Sequence, residues 1–189
     1  MTKNKISTRE LTFMGLMTAV LCVLGPLSIP LPGLVPISLG TLVIYFYPYL
    51  LGTRKAALCC LLYIALGAVG LPVFTGYTGG VPKMVGPTGG YMLGYFCIIL
   101  CEGIAIKYFP NNRLIHAAGI SLGTVCCYLI GTFWLAYLLG RTFAQALAAG
   151  VIPFIPGDIG KATVALLIAP VVRSRLQKAG LLLHLPDGR

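Results

Sequence analysis

No charged residue stands between Glu10 and Arg54, an apolar stretch longer than the roughly 20 residues that one bilayer-crossing helix requires. Pro26, Pro30, Pro32, Gly33 and Pro36 break it in two. The pattern predicts span one over residues 9–27 and span two over residues 37–52. Arg54 and Lys55 form a short turn before span three, residues 56–71, which ends where the chain turns rich in glycine and proline. Span four covers residues 88–108, a turn occupies 109–113, and span five covers 114–140. A short helix over 142–149 then leads into span six, 154–173, whose inner end Pro170 kinks. The expected fold is an all-α integral membrane protein of six transmembrane helices forming one domain, residues 1–189.

Composition agrees with this pattern. Hydrophobic residues make up 58% of the 189 residues and charged ones only 10%, against roughly 25% charge in ordinary soluble domains. The mean hydropathy is +0.92. Six spans leave no room for a soluble catalytic domain or a twelve-helix carrier. The basic start lacks a small-residue cleavage site after its apolar stretch, so that stretch reads as the first span.

The net charge of +10 reports orientation, not nucleic acid binding. With a cytoplasmic N-terminus the inner segments hold Lys3, Lys5, Arg9, Arg54, Lys55, Lys107, Arg113, Arg173, Arg175, Lys178 and Arg189, eleven of the fourteen basic residues. Both termini are therefore expected in the cytoplasm, and the chain in a plasma membrane with lipid around it. Glycine and proline are as uneven: residues 25–37 and 70–90, both outer, hold six and ten of them, whereas the inner turns hold Gly52 and Pro110. Irregular backbone at membrane depth is tolerated where it lines a cavity. An outward-facing pocket follows, with flexible outer loops as the plain alternative.

Two segments could carry chemistry. In residues 75–94, TGYTGGVPKMVGPTGGYMLG, glycines allow close backbone approach to a ligand, and Tyr77 and Tyr91 supply flat amphipathic surface. In residues 150–161, GVIPFIPGDIGK, Asp158 and Lys161 lie three apart on one helical face. Asp158 can accept from a ligand N–H and Lys161 can bind an anion or a carbonyl; the two can also form a purely structural ion pair. On span five Trp134, Tyr137 and Arg141 climb to the outer end, as pocket lining or as interfacial belt. Glu102, near the inner end of span four, is expected to pair with a basic neighbour or a partner subunit, and His116 to meet headgroups or solvent.

Other chemistries find no support. Gly160 and Lys161 are followed by Ala162, and Ile155 stands where a phosphate loop needs its first glycine, so no nucleotide site is expected. All seven cysteines lie in apolar runs without metal-ligand spacing; Cys97 and Cys101, four apart on one face, are better read as small buried hydrophobes. No metal, cofactor or catalytic constellation is expected, and the chain does not read as an enzyme.

GLPVF, with Gly70, Pro72, Val73 and Phe74, GPTGGY, running from Gly86 to Tyr91, and PGDIGK, with Gly157, Asp158 and Lys161, together resemble the BioY family, the biotin-binding S components of energy-coupling factor transporters. The resemblance extends over nearly the whole chain. It implies capture of biotin from outside with high affinity, in concert with a transmembrane coupling protein and two cytoplasmic ATPases. It implies too that Asp158 and Lys161 bind ligand, that Thr88 and Tyr91 of GPTGGY belong to the site, and that the loop before GPTGGY closes over the vitamin. S components commonly present an Ala-xxx-Ala patch on the first helix to the coupling protein; here Gly15 and Ala19 hold that spacing, with glycine in place of the first alanine.

Residue chemistry suits such a ligand. Biotin joins an apolar fused ring, a ureido group and a carboxylate tail, which call for aromatic walls, an acceptor and cations. Phe74, Tyr77, Tyr91 and Trp134 can be walls and Asp158 the acceptor, while Lys83, Lys161 and Arg141 are the candidate cations. An S component for another small anionic vitamin and a passive channel or membrane scaffold are the rival readings.

Overall fold

The computed structural model describes residues 7–29 and 36–181. Pro30, Pro32 and Gly33 of the first loop, and Lys3, Lys5 and Arg189 of the termini, lie outside the described residues. The described chain is mostly helical. Helix α1 (Thr8–Leu24) starts on a capping box in which the Ser7 side chain accepts from the Glu10 N–H and the Glu10 carboxylate accepts from the Ser7 N–H. A two-residue hairpin follows, β1 (Ser28–Ile29) against β2 (Ile37–Ser38). Then come α2 (Gly40–Ala68), the single-turn α3 (Val81–Met84), α4 (Gly89–Tyr108), α5 (Arg113–Leu139), α6 (Phe143–Gly150), a 3-10 turn at Ile152–Phe154, and α7 (Ile155–Lys178).

Among the described residues four helical stretches are long and apolar enough to cross a membrane: Gly40–Ala68, Gly89–Tyr108, Arg113–Leu139 and Phe143–Lys178. The boundaries of α4 to α7 lie close to those expected, and those of α5 and α6 are written in local caps. Asn112 accepts from the N–H groups of Leu114 and Ile115, Gly140 ends α5 in the left-handed region, and Thr142 forms a capping box with Gln145. Spans two and three depart from expectation. Arg54 and Lys55 are helical, and the interruption falls at Gly52 (φ 72, ψ 162), a conformation that essentially only glycine adopts. Two helical segments thus meet at one residue inside α2.

Lipid offers no hydrophobic drive for helix association, so small residues set how closely helices approach. The tightest pair is α4 with α5. A Cβ on Gly94 would stand 2.5 Å from Cys127 Sγ, and one on Gly123 would stand 2.6 Å from the Ile98 Cα. The interior is filled by Leu21, Ile44, Tyr45, Tyr47, Cys60, Ile98 and Ile120, while Leu16, Leu62, Leu122, Phe133 and Leu167 point outward.

The described parts of the loops before α2 and α4 are held by specific contacts. The Phe74 ring covers Gly67 and meets Tyr63 edge-on at 5.6 Å between centroids. Its backbone pairs with Thr78, and Tyr63 Oη donates to the Val73 carbonyl at 3.1 Å. Gly76 N–H reaches the Pro26 carbonyl at 3.0 Å, which joins this loop to the one before the hairpin. Ser38 Oγ donates to the Gly25 carbonyl and accepts from Gly40 N–H, both at 2.8 Å, holding the hairpin over the start of α2.

Because the atom facing Gly123 is backbone, no rotamer change relieves a larger side chain there. Gly123→Val is expected to destabilise the protein by about 1–3 kcal/mol. Gly160→Ala, with open space around the new methyl group, should not lower stability. Thermal unfolding in detergent reads both.

Candidate functional site

The 3-10 turn Ile152–Phe154 delivers the chain into α7, and Asp158 falls in the first turn of that helix, where unsatisfied N–H groups favour negative charge. One turn on, Lys161 shares its face, and Nζ stands 2.9 Å from Asp158 Oδ1. The two side chains retain only 9% and 10% of their exposure. Lys161 spends all three protons: on Asp158, on the Ser38 carbonyl at 2.7 Å and on Thr41 Oγ1 at 2.9 Å. Asp158 Oδ2 accepts from Tyr128 Oη at 2.6 Å. Three separate parts of the chain, β2 with the start of α2, the middle of α5 and the start of α7, thus converge on one ion pair. Such convergence offsets the cost of removing two charges from water.

The pair forms one wall of a cavity beside the loops that lead into α2 and α4. Ser38, Thr41 and Tyr63 line it from β2 and α2, Thr75 from the long loop, Thr88, Tyr91, Met92 and Tyr95 from the start of α4, Cys127 and Tyr128 from α5, and Phe154 from the 3-10 turn. Tyr91 is fixed by its Oη donating to the Gly150 carbonyl at 2.9 Å. Thr88 Oγ1 is buried with no hydrogen-bond partner among the described residues, although it borders the cavity. Tyrosine faces, one neutralised ion pair and one unpartnered hydroxyl make a site for a mostly flat, apolar molecule with a few polar atoms.

Of the residues singled out from sequence, the structure brings Asp158, Lys161, Thr88 and Tyr91 together around this cavity. The other five lie outside its lining. Phe74 is fully buried under the loop it anchors, one ring away from the cavity through Tyr63. Tyr77 sits at the loop tip with φ 56 and is 64% exposed. Lys83 is half-buried on α3, and Arg141 is exposed just past α5. Trp134 donates from Nε1 to the Gly86 carbonyl at 2.9 Å, so it braces the segment leading into α4. Among the candidate cations only Lys161 lines the cavity.

Sequence reasoning missed Ser38, Thr41, Tyr63, Tyr95 and Tyr128. The available signal was periodic: hydroxyl residues recurring at helical spacing inside otherwise apolar spans, such as Thr41, Tyr45 and Tyr49 on α2. Two further expectations change. His116 is buried, its Nδ1 3.0 Å from Tyr49 Oη and its Nε2 2.9 Å from the Phe109 carbonyl. Glu102 is buried too, and neither carboxyl oxygen has a hydrogen-bond partner among the described residues.

Residues 1–178 match the model of the BioY family. The chain is 37% identical over 157 residues to the biotin transporter BioY2 of Lactococcus lactis subsp. cremoris, covering 81% of this chain and 84% of that one. It is 35% identical over 161 residues to the biotin transporter BioY of Thermotoga maritima, covering 85% and 94%. Among solved structures it is similar to the S-component for biotin from an ECF-type ABC transporter, with a TM-score of 0.82 at 29% identity over 92% of this chain and 95% of that chain.

The ion pair makes a prediction that needs no ligand. Lys161→Met leaves the Asp158 carboxylate buried without its cation and is expected to destabilise the protein by about 3–5 kcal/mol. Adding Asp158→Asn should restore most of that loss. Thermal unfolding of the ligand-free variants is the measurement, and a Lys161→Met unfolding temperature equal to the parent's would contradict the pairing.

Proposed function

The chain belongs to the BioY family, and from that membership we propose that it is the biotin-binding S component of an ECF-type vitamin transporter, a single multi-pass domain of the plasma membrane. The observation that carries the proposal is the Asp158–Lys161 pair set in a tyrosine-walled cavity beside the unpartnered Thr88 hydroxyl. Biotin's ureido N–H donates to Asp158, and the ureido carbonyl accepts from Thr88, whose hydroxyl has no partner among the described residues. Tyr63, Tyr91 and Tyr95 pack on the fused ring. The carboxylate tail takes one of Lys161, Lys83 and Arg141. The loop carrying Thr75 and Tyr77 covers the entrance from outside.

In this reading the chain crosses the membrane six times, through α1, the two parts of α2 on either side of Gly52, α4, α5 and α7. Both ends are then cytoplasmic, and Arg54, Lys55, Lys107, Arg113, Arg173, Arg175 and Lys178 gather on the inner side. Energy comes from partners, a transmembrane coupling protein and two cytoplasmic ATPases, since the Gly160–Lys161 segment lacks the residues of a phosphate loop. The docking face is on α1, where Gly15 and Ala19 are both exposed and a Cβ on Gly15 would meet nothing within 4 Å.

Calorimetric titration of the purified protein should show saturable, tight biotin binding that a large excess of other vitamins does not displace; displacement by another anionic vitamin would reassign the substrate. Asp158→Asn exchanges a charged acceptor for a neutral one and should weaken biotin binding by about 1.5–3 kcal/mol, roughly 10- to 150-fold. The Asp158→Asn, Lys161→Met double variant should remain folded and bind weakly. If it binds biotin like the parent, the pair is structural only.

Docking is tested separately. Replacing Gly15 and Ala19 together by Leu should leave biotin affinity intact and weaken co-purification with the coupling protein and ATP-dependent uptake in vesicles, because bulk at a small-residue interface separates the backbones. Unchanged assembly and uptake would remove α1 as the docking face.

A further inference from the structure

Lys161 lines the cavity, yet it has no proton left for a ligand. Its three N–H bonds end on Asp158 Oδ1 at 2.9 Å, on the Ser38 carbonyl at 2.7 Å and on Thr41 Oγ1 at 2.9 Å, and an ammonium group has no lone pair to offer instead. Asp158 differs. A carboxylate presents about four lone-pair sites; Lys161 takes one on Oδ1, Tyr128 takes one on Oδ2 at 2.6 Å, and the Thr41 hydroxyl stands 3.5 Å from Oδ1. Acceptor capacity therefore remains on the acid, while the base has no donor to spare. This leaves the carboxylate tail of the ligand to Lys83 or Arg141.

Charge separates the two roles further. Among the described residues that line the cavity, Asp158 and Lys161 alone carry a formal charge, one of each sign. The site sums to zero, and with 9% and 10% of their exposure retained the two side chains are screened little by water or salt. A ligand that places an N–H on Asp158 comes within a few ångströms of the Lys161 ammonium. A neutral donor feels that ammonium weakly; a cationic one is repelled by it.

We propose that Lys161 determines specificity by charge and not by contact: in cancelling Asp158 it makes the site select a neutral cyclic urea and reject a cyclic guanidinium of the same shape. This deepens the reading of the chain as a biotin-binding S component and rests on it. Lys161 is then a positioning residue, which holds the carboxylate that meets the ligand and sets the net charge around it. No other feature of the cavity separates the two heads. They differ in one heavy atom, and a pocket wall discriminates poorly between isosteres. The Thr88 hydroxyl donates to a carbonyl and accepts from an N–H alike. The faces of Tyr63, Tyr91 and Tyr95 attract cations, so the walls alone would favour the charged head.

The test is calorimetric titration of the purified full chain at neutral pH with biotin, with iminobiotin, which carries a guanidinium in place of the urea, and with the neutral thiourea analogue, which controls for the lost oxygen. The parent is expected to bind both neutral ligands more tightly than iminobiotin. Lys161→Met makes the site net negative and should move the iminobiotin-to-biotin affinity ratio about 10- to 1,000-fold toward the cation, the range that one nearby charge exerts on an ionising neighbour. Its unfolding temperature should also rise more with iminobiotin than with biotin, because the ligand replaces the missing cation. Asp158→Asn makes the site net positive and should move the ratio the opposite way, which keeps the test open should Lys161→Met not fold. The double variant is neutral again and should prefer biotin as the parent does. A ratio that stays at the parent's value in the folded single variants, or a thiourea analogue that follows iminobiotin, would overturn the proposal alone. A parent that binds none of the three ligands would overturn the biotin reading and this inference with it.

Discussion

A buried ion pair sets the terms for the rest of this molecule. Asp158 and Lys161 are joined at 2.9 Å in a protein with few other charges in its interior, and such a pair is tolerated only when its remaining protons and lone pairs are also satisfied. That requirement fixes several elements at once. The hairpin must place the Ser38 carbonyl, the first turn of α2 must present Thr41, α5 must bring Tyr128 to the same level, and α7 must start where its free N–H groups favour Asp158. The cavity is what remains between these parts once the pair is in place. The residues that hold the pair are therefore also the ones that border the cavity.

Close helix packing makes the convergence possible. Glycines along α4 and α5 let the two backbones approach without a hydrophobic drive from the surrounding lipid. The same approach brings Tyr91 and Tyr95 against the cavity and places Glu102 beside Gly119, deep between α2 and α5. The loop between α2 and α4 is held by Phe74 on Gly67, by Tyr63 on Val73 and by the Gly76–Pro26 hydrogen bond.

Much of this was legible in the sequence wherever the cause is local. Asn112, Thr142 and Gly140 mark helix ends because capping acts within a turn, and Asp158 with Lys161 stood out because charges in an apolar run are costly. Distant causes were not legible. The interruption at Gly52 depends on how α2 meets its neighbours, and the flanking Arg54 and Lys55 drew attention away from it. Ser38, Thr41 and Tyr128 matter through partners about 30 to 120 residues away, a relation that single-helix periodicity does not contain. Trp134 reads as a pocket wall from its type, yet its indole N–H is spent on Gly86; Tyr137, on the same stripe, points outward.

The central claim is that Asp158 accepts a ureido N–H from biotin, and an altered ligand tests it more directly than an altered fold. Affinities of the parent and of Asp158→Asn should be compared for biotin and for an analogue with both ureido nitrogens methylated. Removing the donors should cost the parent at least about tenfold in affinity, and Asp158→Asn should discriminate much less between the two ligands, since the two changes delete one contact. Equal binding of both ligands by the parent, or an undiminished preference in Asp158→Asn, would contradict the account.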